Sequence, residues 1–287
     1  MLLKEIKDIF HKELGELYPK EEIDSFFYSC IGHYFKLERF ILAIQPGITL
    51  TKDEEQPLFE ALAELKTEKP LQYILETAHF MDLELHVNED VLIPRPETEE
   101  LVQWVLDDCQ VERSRDLKLL DIGTGSGCIA IALAKQLNDA DVYALDVSEG
   151  ALKVARKNAK THKVDVTFLH QDILNTKLEL EPELYFDIIV SNPPYVRELE
   201  KHEIRKNVKD FEPETALFVK DEDPLLFYRA IIDFAGKHLS EKGSLYLEIN
   251  QYLGAETKAL FQAHNFSEIE LRKDLFGNDR MLKALRK

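Results

Sequence analysis

Beyond Leu117, strand-like and helix-like segments alternate along the chain. Apolar patterns predict seven strands, at residues 118–122, 141–145, 164–169, 186–191, 244–249, 267–271 and 280–285. Apolar positions at three- and four-residue steps predict helices between them, at 128–137, 148–162, 225–238 and 252–263. Strands that alternate with helices favour a parallel sheet with helices on both faces. We therefore predict an α/β fold with a seven-stranded, mainly parallel sheet.

The first 75 residues have a different pattern, without strand-like segments. Their apolar residues recur at helical spacing, and prolines at 19, 46 and 57 interrupt the pattern. This predicts four or five short helices, with Pro57 as one of the breaks. We take residues 1–75 as a small N-terminal helical domain.

An extended segment follows the helical one. Apolar and polar residues alternate from about 76 onward, which predicts a hairpin linker over 76–97, before a domain at 98–287. Two prolines, Pro94 and Pro96, cannot both lie inside a helix. Thr98 is therefore predicted to cap the apolar-periodic segment that begins near Leu101.

Composition limits the classes of partner. The chain has 287 residues, with 36 Lys and Arg against 54 Asp and Glu, a net charge of −18. Nucleic-acid binding requires neutralisation of phosphates, so this balance weighs against it. We find no apolar run long enough for a membrane span, and Met1–Glu5 does not resemble a signal peptide. With three dispersed cysteines, we expect a cytoplasmic, monomeric protein with reduced thiols.

A glycine-rich turn joins the first strand of the sheet to the first helix. The turn 123–127 reads Gly-Thr-Gly-Ser-Gly and follows Asp121 in the strand. Glycines allow a tight turn and a close approach of the backbone to a ligand at this edge of a sheet. The dinucleotide fingerprint requires glycine or alanine where Cys128 stands, so NAD and FAD fit poorly.

Acidic residues follow the next two strands. Asp146 ends the second strand, where a carboxylate can accept both hydroxyls of a ribose. Asp172 and Ile173 follow the third strand and suit the amino group and ring face of adenine. Together these residues predict an adenosine pocket without a phosphate clamp. S-adenosylmethionine is the adenosine cofactor that lacks phosphate.

The fourth strand runs into Asn192-Pro193-Pro194-Tyr195. The prolines stiffen the backbone, so a carbonyl and the Asn192 side chain form two acceptors at a set distance. This pair suits a planar –NH2 group, on which Tyr195 could stack. Such a nitrogen is a poor nucleophile, and binding of both its N–H groups favours attack on a sulfonium methyl. We predict no metal, since the histidines are scattered without ligand spacing.

The glycine turn and the tetrapeptide together resemble the amino-methyltransferases of the seven-stranded, Rossmann-like, S-adenosylmethionine-dependent fold. DNA adenine and protein glutamine methyltransferases both carry that tetrapeptide. Further segments resemble the bacterial release factor glutamine methyltransferases (the PrmC/HemK family): 92–99, 121–130, 227–229, 273–280 and the pairs Glu212-Pro213 and Ala216-Leu217. The resemblance runs from about Gln72 to the C-terminus.

The resemblance implies methylation of the side-chain amide nitrogen of the glutamine in the Gly-Gly-Gln motif of class I peptide chain release factors. S-adenosyl-L-methionine would be the donor and S-adenosyl-L-homocysteine the product. The helical domain would contact the release factor, and the loop 94–98 would close one wall of the site. The residues implied at the cofactor are Gly123, Thr124, Gly125, Ser126, Gly127, Asp146, Asp172, Ile173 and Asn192. Those implied at the glutamine are Asn192, Pro193, Pro194 and Tyr195, with Asn192, Pro193 and Tyr195 catalytic.

Three positions depart from the family pattern. Glu76 and Asn250 stand where the family usually has glycine, and Asp223-Pro224 replaces a commoner Asp-Gly. All three lie outside the glycine turn and the tetrapeptide. They bear on turn details rather than on the reaction.

Other functions are open at this stage. A DNA or RNA adenine methyltransferase would share the tetrapeptide, but would need a recognition region and a basic groove. Basic residues between Arg197 and Lys209 are interleaved with Glu198, Glu200 and Glu203. A non-catalytic adaptor is a third reading, against which the retained Asn192 and Pro193 argue.

Overall fold

The computed structural model describes residues 1–112, 116–175 and 184–287, and the chain divides into two compact units. The first comprises Met1–Thr77 and Arg205–Phe211, and the second comprises Ala78–Ile204 and Glu212–Lys287. Each has its own hydrophobic core. The proposed division at 75 and 97 stays a prediction.

The first unit is helical, as its apolar periodicity predicts. Buried side chains such as Phe10 and Phe27, whose ring centroids lie 5.5 Å apart, form its core. Its helices are α1 (Leu3–Leu14), α2 (Lys20–Phe35), α3 (Ile41–Ile44), α4 (Lys52–Leu65) and α5 (Leu71–Ile74), joined by the later α9 (Lys206–Phe211).

The prediction that Pro57 interrupts a helix is wrong, because Pro57 lies inside α4. A proline inside a helix removes one backbone hydrogen bond and costs about 3 kcal/mol. Thr51 offsets part of this cost by capping α4, since its hydroxyl accepts from the backbone N–H of Glu54. Leu58 and Leu65 on the same helix are fully buried, which also favours the helix.

The predicted hairpin follows the helices α1–α5, and its strands β1 (Thr77–Phe80) and β2 (Leu83–His86) form a two-stranded sheet that lies, except for Thr77, in the second unit. Strands and helices then alternate as expected. The following elements are α6 (Pro96–Glu112), β3 (Lys118–Ile122), α7 (Cys128–Gln136), β4 (Asp141–Asp146), α8 (Glu149–His162), β5 (Thr167–His170), β6 (Phe186–Ser191), β7 (Val196–Arg197), a 3-10 helix (Glu198–His202), α10 (Glu214–Leu217), β8 (Phe218–Val219), α11 (Leu226–His238), β9 (Leu239–Glu248), α12 (Gly254–Ala263), β10 (Phe266–Lys273) and β11 (Asp279–Arg286).

Among the described residues, seven strands form the main sheet in the order β10-β11-β9-β6-β3-β4-β5. β11 is antiparallel to both of its neighbours, whereas β9, β6, β3, β4 and β5 pair in parallel. This confirms the predicted fold class. The third strand is shorter than expected, since it begins at Thr167 rather than at 164.

Helices cover both faces of the sheet. Consecutive residues of β3, Leu119 and Leu120, belong to different hydrophobic clusters, because successive side chains of a strand point to opposite faces of the sheet. One cluster includes residues of α6 and α7, and the other includes residues of α11 and α12. None of the described helices has the length and apolar character that crossing a bilayer requires.

Thr98 does not cap α6, which corrects the prediction from sequence. The helix begins at Pro96, where the missing N–H has no intrahelical partner in any case. Thr98 therefore lies in the first turn, and its side chain is buried. Its hydroxyl is used in a contact within the site described below.

One departure from the family pattern has a backbone cost. Glu76, at a position usually occupied by glycine, has φ +50°, in the left-handed region. A residue with a Cβ is disfavoured there by about 1–2 kcal/mol. A glycine would remove this cost, but it loses more backbone entropy on folding, which costs about 0.5–1 kcal/mol.

We expect Glu76→Gly to raise the free energy of unfolding by about 0.5–1 kcal/mol, measured by chemical denaturation of the full chain. The matched control is Ala63→Gly at an exposed position of α4, where glycine should lower that free energy by about 1 kcal/mol. Equal destabilisation by both substitutions would contradict a strained backbone at Glu76.

Candidate active site

A cavity of about 380 Å³ lies at the carboxyl edge of the parallel strands. Parallel pairing places Ile122 of β3 beside Leu145 of β4 and Ser191 of β6, so the segments that follow these strands meet. The predicted site residues that line the cavity are Gly123, Thr124, Gly125, Ser126, Asp146, Asp172, Ile173, Asn192, Pro193 and Pro194. Gly127 and Tyr195 are not among the described residues that line it.

The glycine turn has a backbone that other residues adopt with difficulty. Gly123, Gly125 and Gly127 all have positive φ, of 75°, 54° and 83°. A Cβ on Gly127 would lie 2.9 Å from the Ile131 side chain and 3.3 Å from the Cα of Ala155. Gly127 thus permits the close approach of α7 and α8, although it does not line the cavity itself.

Asp121 supports the turn from inside the sheet. Its Oδ2 accepts a 2.6 Å hydrogen bond from the Thr124 hydroxyl and a 3.2 Å bond from the backbone N–H of Ala130. The carboxyl group is buried, and desolvation raises its pKa to about 7. Asp121 therefore ties the end of β3 to both the turn and the start of α7.

Asp146, at the end of β4, is held by backbone donors. Its Oδ2 accepts from the N–H of Gly125 and its Oδ1 from the N–H of Ser148, both at 2.8 Å. Burial raises the pKa of this carboxyl, and the backbone hydrogen bonds counteract that rise. Each oxygen has a second acceptor site, so the carboxylate can still accept from ligand hydroxyls.

Asp172 and Ile173 follow β5, the strand next to β4 in the sheet. The Asp172 carboxylate accepts from the N–H of Leu174 at 2.9 Å, and the residue is exposed. Ile173 packs against the hydrophobic cluster that contains Leu145. These two consecutive residues thus give the cavity one polar and one apolar side chain.

The loop 92–98 contributes another wall, with Pro94, Arg95 and Thr98 in the lining. Arg95 Nη2 forms a 2.6 Å ion pair with Glu212, whose side chain is 1% exposed. The other oxygen of Glu212 accepts from the backbone N–H of Ile93 at 3.2 Å. Glu212 therefore fixes this loop through two contacts.

Asn192 is fixed by contacts behind the cavity. Its Nδ2 donates to the Thr98 hydroxyl oxygen at 2.9 Å, and Thr98 donates to Glu248 Oε2 at 2.6 Å. The Tyr195 hydroxyl donates to the other oxygen of Glu248 at 2.7 Å. Tyr195 also packs against the hydrophobic core of the sheet. The stacking of Tyr195 on a bound –NH2 group stays a prediction.

Glu248, at the end of β9, is a buried acid that the sequence alone did not single out. Desolvation raises its pKa, while hydrogen bonds from Thr98 and Tyr195 and the nearby Arg280 counteract the rise. Arg280 in turn pairs with Asp274, at 3.2 Å. Arg280 and Asp274 lie in the family-like segment 273–280, whose place near the tetrapeptide is now explained.

Asn250, where the family usually has glycine, uses its side chain fully. Its Nδ2 donates to the Tyr195 carbonyl at 2.9 Å and to Glu200 at 2.8 Å, and its Oδ1 accepts from the N–H of Tyr252. Glu200 is also ion-paired with Arg197, at 2.9 Å. This departure therefore anchors the chain just after the tetrapeptide.

Asn158 on α8 is a further residue that sequence reasoning missed. Its side chain accepts from the N–H of His86 at 2.8 Å and donates to the carbonyls of His86 and Ser126 at 2.9 Å. The residue is 1% exposed. It thus joins the hairpin, the glycine turn and α8, and a polar residue amid the apolar face of a predicted helix was its only signal.

Comparison with known proteins identifies the family. A family model described as Methyltransferase small domain matches residues 103–210. A release factor glutamine methyltransferase of Flavobacterium psychrophilum is 50% identical over 99% of each chain. One of Bacteroides thetaiotaomicron is 40% identical over 99% of this chain and 100% of that protein. The chain belongs to the release factor glutamine methyltransferase family.

The solved structures agree with the fold of this methyltransferase. The T. thermophilus 16S rRNA N2 methyltransferase, in complex with AdoMet and guanosine, matches with a TM-score of 0.54 and 20% identity. The match covers 74% of this chain and 50% of that one. The resemblance, the methyltransferase fold and the expectation of an enzyme are thus confirmed. In the part of the chain described, no group of three or more His, Cys, Asp or Glu forms a candidate metal site.

We expect Asn158→Ala to lower the free energy of unfolding of this methyltransferase by about 2–3 kcal/mol, because it removes the hydrogen bonds to the backbone of His86 and to the buried carbonyl of Ser126. The affinity for a nucleoside ligand should also fall, since the glycine turn loses the hydrogen bond between Asn158 and the Ser126 carbonyl. Denaturation and calorimetry measure the two effects. Exposed Asn138, in the turn between α7 and β4, serves as the control, and Asn138→Ala should change neither quantity appreciably. Unchanged stability of Asn158→Ala would contradict this role.

Proposed function

We propose that this chain transfers a methyl group from S-adenosylmethionine to the side-chain amide nitrogen of the glutamine in the Gly-Gly-Gln motif of peptide chain release factors. The family and its curated relatives support the substrate class. The observation that carries the chemistry is the rigid placement of Asn192 and Pro193 in the wall of the same cavity that the glycine turn lines.

The residues of the cavity fit S-adenosylmethionine. The volume of the cavity, about 380 Å³, is in the range of small-ligand sites. A Cβ at Gly123 or Gly125 would meet nothing within 4 Å, so the backbone is open to close approach by a ligand. We propose that Asp146 binds the ribose hydroxyls and that Asp172 and Ile173 bind adenine. When bound, S-adenosylmethionine supplies an electrophilic methyl group on a sulfonium.

Asn192 and Pro193 are proposed to hold the amide of the glutamine. A primary amide presents two N–H donors in one plane, and the Asn192 Oδ1 and the Pro193 carbonyl are two acceptors. Binding of both donors fixes the nitrogen and stabilises the positive charge that develops there during methyl transfer. Tyr195 is proposed to pack beside this pair, with its hydroxyl bound to Glu248.

No general base is required for this reaction. An amide nitrogen that has gained a methyl group is cationic and far more acidic than the amide. The methyl–sulfur bond breaks as the methyl–nitrogen bond forms, and the proton of the cationic amide is then lost to water. The contribution of Asn192 and Pro193 is to position the nucleophile and stabilise its charge.

We expect Asn192→Ala to lower methyl transfer by about 10²- to 10³-fold, since one preorganised acceptor is removed. S-adenosylmethionine should still bind measurably to this variant, and calorimetry would measure the affinity. Labelled S-adenosylmethionine is incubated with wild type or variant and a release factor, and the label on the protein is counted. Near-normal turnover by Asn192→Ala would contradict the clamp.

The same assay tests the proposed substrate. A release factor whose Gly-Gly-Gln glutamine is replaced by alanine should accept no label, and neither should double-stranded DNA. Label on DNA, or label that survives loss of the glutamine, would contradict the proposed function.

The charge of the chain supports a basic protein partner. Release factors act against ribosomal RNA, so the loop that carries their glutamine should be basic. A chain with a net charge of −18 would attract such a loop. On the same ground we propose that the protein does not bind nucleic acid directly.

We expect the association rate with a release factor to fall about tenfold between roughly 50 and 500 mM salt, because screening shortens the range of this attraction. Stopped-flow fluorescence measures the rate. The rate of S-adenosylmethionine binding is the internal control, because a small ligand with a single net positive charge should respond to salt less steeply than a basic protein. A salt-independent association rate would contradict electrostatic attraction.

A further inference from the structure

We propose that Thr98 and Glu248 are positioning residues that determine which polar atom of the Asn192 side chain faces the cavity. An asparagine side chain ends in an oxygen and an NH2 group of nearly equal size, and packing alone distinguishes them poorly. The proposed clamp requires the oxygen to face the substrate. The inference therefore rests on the proposed function, because that function makes Asn192 Oδ1 an acceptor.

The direction of the hydrogen bonds begins at Glu248. An ionised carboxylate has no proton to donate, so each of its two oxygens must accept. Its partners are the hydroxyls of Thr98, at 2.6 Å, and Tyr195, at 2.7 Å. Both hydroxyls must therefore direct their single proton toward Glu248. Burial raises the pKa of Glu248, but these two hydroxyl donors and the positive charge of Arg280 counteract the rise and favour the ionised carboxylate.

The direction of the Thr98 hydrogen bond also determines the direction of the hydrogen bond between Thr98 and Asn192. Because the Thr98 hydroxyl donates its only proton to Glu248, its oxygen can only accept a further hydrogen bond. The Asn192 atom at 2.9 Å from it must then be the nitrogen, Nδ2. Within the part of the chain described, no hydrogen bond ends on the Asn192 Oδ1. Oδ1 is thus available on the side of the cavity that Asn192 lines.

Reversal of the Asn192 amide would abolish the clamp. With the NH2 group toward the cavity, two N–H donors of Asn192 would face two N–H donors of the substrate amide. One of the two acceptors for the reacting nitrogen would be lost. Thr98 is 2% exposed and Glu248 is 1% exposed, so water cannot readily replace either contact. The orientation is therefore set by the protein rather than by the ligand.

The main test is Thr98→Val, which keeps the size of the side chain and removes its hydroxyl. We expect kcat for transfer to a release factor to fall roughly 10- to 100-fold, because Asn192 loses its fixed orientation. KM for the release factor and the Kd of S-adenosylmethionine should change less than threefold. Thr98→Ser keeps the hydroxyl and should restore most of kcat.

The matched control is Thr257→Val on α12. Thr257 is a fully buried threonine whose hydroxyl donates to the Leu253 carbonyl, and it does not belong to the site. This variant should lose stability while kcat stays within twofold of wild type. If Thr98→Val folds poorly, judged by binding of S-adenosylmethionine, Thr98→Ala removes the same hydroxyl with less crowding.

Glu248→Gln in two backgrounds tests the chain of contacts. If Glu248 acts on Asn192 through Thr98, this substitution lowers kcat in the wild-type background and adds nothing in the Thr98→Val background. Additive losses would exclude action through Thr98, and no loss in either background would remove Glu248 from the proposal. A folded Thr98→Val or Thr98→Ala variant with wild-type kcat would overturn the inference. An inactive wild type would instead contradict the proposed function.

Discussion

Parallel pairing of β3 with β4 and with β6 is the constraint from which the site follows. Ile122 lies opposite Leu145 on one side and opposite Ser191 on the other. The Ser191 hydroxyl, fully buried, donates to the Ile122 carbonyl at 2.6 Å and reinforces this register. Because all three strands end together, the residues after each of them meet. The glycine turn and the Asn192-Pro193 pair, proposed to bind the cofactor and the substrate amide, thus line one cavity although they are distant in sequence.

Three buried acids maintain that arrangement, and each is compensated in a different way. Asp121 accepts from a side-chain hydroxyl and a backbone N–H, Asp146 from two backbone N–H groups, and Glu248 from two hydroxyls. Burial of a carboxylate is costly without such donors. The donors come from the turn, the helix starts and the tetrapeptide. These hydrogen bonds therefore connect segments that are distant in sequence.

The features that could be predicted from the sequence are those that depend on a local pattern of residues. The strand at Phe186–Ser191, the glycine turn and the cavity positions of Asp146 and Ile173 follow from apolar periodicity and residue type within a few positions. The contact from Thr98 to Glu248 spans 150 residues, and that from Asn192 to Thr98 spans 94. A threonine near a helix start is usually a cap, so local reasoning misassigned it. Pairings across such distances depend on the folded sheet.

A site for methylation of an amide has to be rigid more than it has to be reactive. The nitrogen lone pair is delocalised, so the enzyme gains from alignment rather than from removal of a proton. Two consecutive prolines restrict the backbone after Asn192, and Asn250 binds the carbonyl of Tyr195 at its far end. A glycine at position 250 could not make that contact. Asn250 therefore contributes to the rigidity of the segment that carries the tetrapeptide.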